Sequence, residues 1–205
     1  MAKRVLVTIG REYGSGGHEV GKRLAQKLGV EFYDKELLEL ASKESGLSRE
    51  LFEHHDEKPV NSLLYSLSVN PYSINTVAGV PELPITQKLF LAQFHTIQKL
   101  AKEKDCVIVG RCADYALQDM PDVVNVFVHA PLDTRVQTVM ERTGEKSNQA
   151  RDSILRTDKK RASYYNSYSN KKWGSLQSYH LSLDSSVLGL DGCVEMILRF
   201  LELRK

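Results

Sequence analysis

A glycine-rich turn near the amino terminus holds the residues best suited to chemistry. The turn has the sequence GREYGSGGH from residue 10 to residue 18 and lies between a short apolar run and an amphipathic segment. A turn that joins a buried strand to a helix directs backbone N–H groups and the positive end of the helix dipole toward an anion. The sequence therefore predicts a phosphate site, although such a turn can also serve only to let a strand and a helix pack closely. The residues predicted to hold phosphate are Gly14, Ser15, Gly16, Gly17, His18 and Glu19.

The turn lacks the lysine of the common phosphate-binding pattern G-x-x-x-x-G-K-[ST]. When Gly16 is placed on the last glycine of that pattern, Arg11 falls on the first glycine and Gly17 falls on the lysine. The nearest cations are Arg11 and Lys22. Lys22 lies more than a turn into the predicted helix, so Arg11 is the better replacement for the lysine, although it could equally be a solvated loop residue.

The hydroxyl that would hold magnesium in that pattern is also missing, because His18 or Glu19 stands in its place. Ser15 is the only hydroxyl in the glycine cluster itself. Asp34 ends the next apolar run, at the edge of a parallel sheet where ligands gather. There it would orient an acceptor or a magnesium-bound water, or it would instead cap the helix that begins at Lys35. Ser15 and Asp34 are the candidates for contact with Mg²⁺, and the sequence predicts no firm metal site.

Strands and helices alternate along the chain and would position these residues. Apolar runs predict strands at 5–9, 30–33, 106–109, 123–128 and 179–183. Helical spacing predicts helices at 17–28, from 37 to near 46, and at 86–104, 132–143, 147–172 and 187–203. This alternation implies a parallel sheet covered by helices on both faces.

The segment 47–84 differs from the rest of the chain. Asn, Ser and Pro are frequent in it, its apolar spacing is irregular, and NPYS and GVPELP both favour turns. We interpret it as an inserted, mobile substrate lobe.

Composition indicates one domain in a reducing compartment. A chain of 205 residues with 41% hydrophobic content can bury one sizeable core. Lys and Arg total 28 against 26 Asp and Glu, which gives no general electrostatic reason to expect nucleic acid or a membrane as partner. The three cysteines have neither disulfide nor zinc spacing, and the first apolar stretch is too short for a signal peptide. We expect a cytoplasmic protein whose partners are small molecules.

The sequence resembles the cytidylate kinase-like branch of the nucleoside monophosphate kinases. The segments that carry the resemblance are IGREYGSGGHEVGKRLAQKLG, FYDKELLE, VIVGR, FVHAPLDTR with the following Arg142, DKKRASYY and YHLSLDSSVLG. They are in the family's order and span about nine tenths of the chain. That branch carries the same glycine-rich loop without its lysine. The resemblance implies an α/β fold, the three-layer αβα P-loop architecture, with a five-stranded parallel sheet, an inserted acceptor lobe at 47–84 and a helical lid at about 135–175.

The resemblance also implies roles for several charged residues. Arg111 matches an arginine that contacts the acceptor nucleotide, unless it only caps a strand end by a salt bridge. Asp158 and Arg161 match a D-x-x-R that holds the acceptor's sugar and phosphate, although such a pair is also often a weak surface ion pair. Arg135 and Arg142 match lid arginines that neutralise the transferred phosphoryl group, and solvated helix faces carry such residues too.

Two positions depart from the family pattern. Cytidylate kinases usually follow the Gly-Arg pair with an aspartate that recognises the cytosine amino group, and here Cys112 stands there, with Asp114 two residues later. A further family arginine, four residues before the D-x-x-R aspartate, is replaced by Ile154. These departures leave the base specificity open, with Asp114 as the candidate acceptor contact.

Two other clusters allow a structural and a functional interpretation. His54, His55 and Asp56 lack helical metal spacing, which favours a solvated turn over a zinc site. An aromatic and basic cluster near residue 170 fits either single-stranded nucleic acid or a lid segment packed on the sheet edge, and the balanced charge favours packing. Its members are Tyr164, Tyr165, Tyr168, Lys171, Lys172 and Trp173.

We therefore expect phosphoryl transfer from ATP, with Mg²⁺, to a nucleoside monophosphate, CMP or dCMP before others. A nucleotide-binding module without transferase activity and a kinase of another small acceptor remain as alternatives. The predicted catalytic residues are Arg11, Asp34, Arg135, Arg142 and Arg161, and the predicted acceptor-binding residues are Arg111, Asp114 and Asp158.

Overall fold

A five-stranded sheet forms the centre of the molecule, and all of its strand pairs are parallel. The computed structural model describes residues 4–57 and 83–204. The strands are β1 (Leu6–Arg11), β2 (Glu31–Tyr33), β3 (Cys106–Val109), β4 (Val123–His129) and β5 (Leu181–Asp184), in the spatial order β2-β3-β1-β4-β5. Because β1 is the central strand, the glycine turn that follows it lies in the middle of the carboxyl edge of the sheet.

Helices connect the strands and cover both faces. They are α1 (Gly17–Leu28), α2 (Glu36–Ser45), α3 (Arg49–His55), α4 (Ile85–Glu103), α5 (Ala113–Ala116), α6 (Leu132–Thr143), α7 (Ser147–Tyr168) and α8 (Ser185–Leu203), with a short 3-10 helix at Leu176–Ser178. In the described part of the chain, no helix combines the length and the apolar character needed to cross a membrane.

Side chains alternate between the two faces of the sheet and build two apolar layers. On one face, Val7 and its neighbours pack against α1 and α8, where Leu24 and Ile197 are fully buried. On the other face, Leu6 packs with Ile97 of α4 and with α5. This three-layer arrangement confirms the predicted α/β fold with a five-stranded parallel sheet.

The central strand extends further than its apolar run predicts. The prediction ended at Ile9, but pairing with β4 continues through Gly10 opposite Phe127 and Arg11 opposite Val128. Arg11 is therefore a buried strand residue rather than a solvated loop residue. The other predicted strands begin and end within two residues of the observed ones, and α7 ends at Tyr168 rather than at 172.

Part of the segment predicted to be irregular is helical. Helix α3 forms at Arg49–His55, and Phe52 at its centre is fully buried against Leu38, Ala41 and Leu89. Residues 58–82, which contain NPYS and most of GVPELP, lie outside the described residues, and so does the predicted lobe they would form.

The aromatic cluster near residue 170 is used in packing. Tyr164 and Tyr165 are buried, and the Tyr168 ring stacks on Phe90 with ring centroids 3.9 Å apart. Trp173 meets Phe127 edge to face at 5.3 Å. These contacts support the interpretation that this segment packs on the sheet, because the rings face the protein interior.

Candidate active site

The glycine turn leaves backbone N–H groups directed toward the carboxyl edge. Gly14 and Gly16 adopt left-handed φ angles of 84° and 79°, which favour glycine. No side chain caps α1 at Gly16, so the N–H groups of its first turn are left for solvent or an anion. A Cβ atom on Gly17 would lie 2.5 Å from the Cβ of Arg11, so this position has room only for glycine. The turn has the geometry of a phosphate site.

Two residues behind the turn hold it in place. The N–H of Tyr13 donates to Asp158 Oδ1 at 2.7 Å, and Arg135 Nη1 donates to Asp158 Oδ2 at 2.6 Å and to the Tyr13 carbonyl at 3.2 Å. The guanidinium carbons of Arg142 and Arg161 lie 5.0 and 5.8 Å from the centre of the Tyr13 ring. Tyr13 thus connects the turn to both α6 and α7.

The Arg135–Asp158 pair, which forms a clamp behind the glycine turn, depends on the packing of α6 on α7. Ile154 is fully buried between the helices, in contact with Val136, Val139 and Ala150. An apolar residue therefore stands where the family resemblance predicted an arginine, and it serves the helix interface that places Arg135 opposite Asp158.

Arg111 connects the ends of three elements. It is 3% exposed, and its Nη1 donates to Asp34 Oδ1 at 2.6 Å. Its Nε and Nη2 donate to the two carboxylate oxygens of Asp56 at 3.1 and 3.0 Å, which is a bidentate pair. Its φ of 53° is unusual for a residue with a side chain and indicates local strain at the end of β3.

The carboxylate of Glu57 bridges two arginines. Its carboxylate accepts from Arg11 Nη1 at 2.7 Å and from Arg161 Nε at 3.0 Å. A Cβ atom on Gly110 would overlap the Arg11 guanidinium, and Gly110 has a left-handed φ of 75°. The glycine before Arg111 therefore makes room for the arginine of the neighbouring strand.

Asp34 takes part in this network rather than capping a helix. Its Oδ2 lies 2.7 Å from His18 Nδ1, and α2 has no side-chain cap at Lys35, so the capping alternative is wrong. Burial alone would raise the pKa of Asp34, but the charges of Arg111 and Arg11 outweigh burial and lower it. Asp34 is therefore an ionised carboxylate beside the glycine turn at neutral pH.

These groups line a cavity of about 520 Å³ at the carboxyl edge of the sheet. Most of the predicted site residues lie on its wall, namely Arg11, Gly14, Gly16, Gly17, His18, Asp34, Arg111, Arg142 and Arg161. The wall also includes Tyr13, Lys35, Asp56 and Glu57. A smaller cavity of about 20 Å³ lies beyond the arginines, next to Cys112 and Asp114.

Five predicted site residues lie outside the main cavity. Ser15 is 2% exposed, and its hydroxyl lies 2.9 Å from the carbonyl oxygens of Glu12 and Val128. Glu19 pairs with Arg23 on the surface. Asp114 lines the inner cavity and accepts from the Tyr165 hydroxyl at 2.6 Å. The remaining two, Arg135 and Asp158, form the clamp behind the turn.

The surface-ion-pair alternative for the D-x-x-R motif is wrong. Asp158 pairs with Arg135, and Arg161 pairs with Glu57, so the two residues do not form the surface ion pair expected of their spacing. The geometry makes Asp158 a support of the glycine turn rather than a wall of the cavity.

Sequence reasoning missed Asp56, Glu57, Tyr13 and Lys35. Asp56 was predicted to lie in a solvated turn, and this was wrong because its carboxylate pairs with the buried Arg111. No motif marks the two acids, which lie in the segment without helical or strand periodicity. Tyr13 and Lys35 adjoin predicted site residues, and that proximity was the one available signal.

The residues present do not form a ready magnesium site. No cluster suited to a metal ion occurs among residues 4–57 and 83–204. Both oxygens of Asp34, Asp56 and Glu57 already contact arginine or histidine nitrogens. The Ser15 hydroxyl is turned toward carbonyls, so it does not fit the role of metal ligand. Proteins often bind Mg²⁺ mainly through substrate phosphates, which is the mode this donor set leaves open.

The loss of folding stability at acid pH should reveal the contribution of the ionised Glu57 carboxylate. Burial alone would raise the pKa of Glu57, but the charges of Arg11, Arg161 and Arg111 hold it far below its usual range. A lowered folded-state pKa adds stability above the unfolded pKa of about 4.3, and that stability is lost as the pH falls through the folded pKa. We expect the free energy of unfolding, measured by urea denaturation, to fall below about pH 5, and Glu57→Gln to flatten that acid limb.

Glu195→Gln is the matched control, because Glu195 pairs with Lys27 on the exposed surface. Equal acid slopes for Glu57→Gln and the wild type would contradict a charged Glu57 in the folded protein.

A central glycine turn on a sheet of this order, with arginines at its carboxyl edge, defines the class of P-loop kinase folds. The chain belongs to the cytidylate kinase-like family, whose model matches residues 6–187. Membership supports a phosphotransferase that acts on a nucleotide or another small molecule.

Solved structures with the same fold were found. An uncharacterized protein from Eubacterium ventriosum is 29% identical, with 98% of this chain and 100% of that chain covered and a TM-score of 0.73. Shikimate kinase from Bacteroides thetaiotaomicron is 16% identical, with 98% and 99% covered and a TM-score of 0.56. A gluconokinase from Sinorhizobium meliloti is 14% identical, with 98% and 96% covered and a TM-score of 0.50. No curated protein matched the sequence.

Proposed function

We propose that the protein transfers a phosphoryl group from ATP to a nucleoside monophosphate, with CMP or dCMP as the first acceptors to test. The observation that carries this proposal is the convergence of Arg11, Arg111 and Arg161 on one cavity beside the glycine turn. Guanidinium groups recognise phosphate through several N–H donors at once, and a dianionic phosphate gains more from several such groups than a neutral acceptor does.

The arginines divide into a positioning residue and two binding residues. Arg111 uses four of its five N–H donors on Asp34, Asp56 and the Val109 carbonyl, so it positions the two carboxylates. Arg11 and Arg161 share Glu57 and keep further N–H donors for an acceptor phosphate.

Phosphoryl transfer leaves little covalent chemistry to the protein, which aligns the two phosphates and stabilises charge. The N–H groups of the glycine turn would hold the donor phosphates. Arg142, which lies over the Tyr13 ring, would add positive charge from the α6 side. Asp34 would orient the attacking oxygen of the acceptor. Magnesium bound with ATP would neutralise charge on the donor phosphates.

A kinase of a small hydroxyl compound that carries no phosphate is the second candidate. One observation favours it: the three arginines are balanced by three carboxylates, Asp34, Asp56 and Glu57. Arginines that are already paired with carboxylates have less attraction for a dianionic acceptor. Asp34 would then accept a hydrogen bond from the hydroxyl that is phosphorylated.

A coupled assay of ADP release tests both candidates. The assay uses ATP and magnesium with CMP, dCMP, UMP, AMP, GMP and shikimate-like hydroxy acids, beside calorimetry of ATP binding. We expect release that depends on a nucleoside monophosphate. Release with a hydroxy acid alone would favour the second candidate, and ATP binding without release for any acceptor would favour a binding module.

A further inference from the structure

The positive charges in the main cavity differ in whether they are already paired. Arg11, Arg111 and Arg161 contact carboxylates within the described residues. Arg142 contacts the Tyr13 ring, and in the described part of the chain neither it nor Lys35 pairs with a carboxylate. An anion that enters the cavity gains most from cations whose charge is not already neutralised.

Neither of the two carboxylates adjacent to Lys35 in sequence pairs with it: Asp34 contacts Arg111 and His18, and Glu36 lies on the cavity wall but has another partner. Glu36 turns back to the Asp34 N–H, which donates to its Oε2 at 3.1 Å. Lys35 is exposed and lines the cavity together with the glycine turn. Its side chain is therefore available to a ligand.

The sheet order places the two unpaired cations on opposite sides of the turn. Lys35 follows β2, which lies beyond β3 on one side of β1. Arg142 lies in the last turn of α6, which follows β4 on the other side of β1. A phosphate group held on the N–H groups of the turn would lie between a cation from each side.

The residue before Lys35 is held by contacts to two other elements. Asp34, the preceding residue, is held by Arg111 and by His18, the second residue of α1. These contacts link the start of α2 to the start of α1, which carries the phosphate-binding amides. Lys35 consequently follows a residue whose side chain contacts the first turn of α1.

We infer that Lys35 is the phosphate-binding cation of this site, in place of the lysine that the glycine turn lacks. It contacts the terminal phosphate of the bound nucleoside triphosphate from the β2 side, and Arg142 contacts that phosphate from the β4 side. This inference rests on the proposed use of ATP, but not on the identity of the acceptor.

Calorimetry of the full chain with ATP and with ADP, in the presence of magnesium, tests the inference. For Lys35→Met we expect about a tenfold loss of ATP affinity, as for one charge-assisted hydrogen bond, and a smaller loss of ADP affinity. Lys35→Arg keeps the charge and should recover most of the ATP affinity. Lys22→Met is the matched control, because Lys22 is an exposed lysine of α1 outside the cavity wall.

Equal ATP affinity for Lys35→Met and the wild type would overturn the inference, and so would an equal loss in Lys22→Met. Failure of the wild type to bind ATP would overturn it too. The proposed function can fail separately. If no nucleoside monophosphate is phosphorylated, but Lys35→Met loses more affinity for ATP than for ADP, then Lys35 keeps its role and the acceptor is of another class.

Discussion

Replacement of Arg111 by methionine is expected to abolish acceptor-dependent ADP release and to lower the free energy of unfolding by about 3–5 kcal/mol. Methionine fills similar space but leaves the buried Asp34 and the partly buried Asp56 without their shared cation. Burial already raises the pKa of Asp56 despite the nearby arginine, so loss of that arginine favours its protonated form further. Urea denaturation and the coupled assay measure the two effects.

Two further variants distinguish the positioning role of Arg111 from its contribution to folding stability. Arg111→Lys retains a charge but not the fork that binds Asp56 at two oxygens, so it should recover stability in part and turnover hardly at all. Arg23→Met removes a partly exposed, ion-paired arginine and should leave both properties nearly unchanged. A folded Arg111→Met protein with the wild-type rate would remove Arg111 from the site.

Replacement of Gly17 by alanine is the second change with a large expected effect. The new Cβ atom would lie 2.5 Å from the Cβ of Arg11 and 3.3 Å from the Cβ of Val128, both on the central strands, so the start of α1 must shift. A shift of the amides that would hold phosphate should weaken ATP binding by at least about tenfold, which is about 1.4 kcal/mol. Calorimetry with ATP measures this change.

Gly29→Ala is the control for Gly17→Ala. Gly29 has a left-handed φ of 65°, but a Cβ atom there meets nothing within 4 Å. Its replacement should cost about 1 kcal/mol of stability through backbone strain and leave ATP binding intact. Equal ATP affinity for Gly17→Ala and the wild type would contradict a phosphate site at the turn.

Local patterns were sufficient to predict the elements of the fold. The β-branched runs of β1, β3 and β4 and the helical spacing of α1 and α4 each depend on residues close in sequence. The glycine turn could be located for the same reason, because strand, turn and helix are contiguous. The resemblance to the family added the alignment of distant segments, from which the positions of Arg111 and Arg161 in the site were predicted.

The pairing of charges could not be predicted in this way. Arg11 meets Glu57 across 46 positions, Arg111 meets Asp56 across 55, and Arg161 meets Glu57 across 104. Sequence spacing suggested that Asp158 and Arg161 would be partners, yet the packing of α6 on α7 brings Asp158 to Arg135.

The sequence by itself determined the α/β alternation, the glycine turn without a lysine and most of the cations near it. The tertiary structure decided which of those cations are neutralised and which are available to a ligand. The physical reason is that a carboxylate pairs with whichever guanidinium lies within hydrogen-bond distance. That distance is set by the order of the strands and the packing of the helices, and neither the strand order nor the helix packing is a local property of the chain.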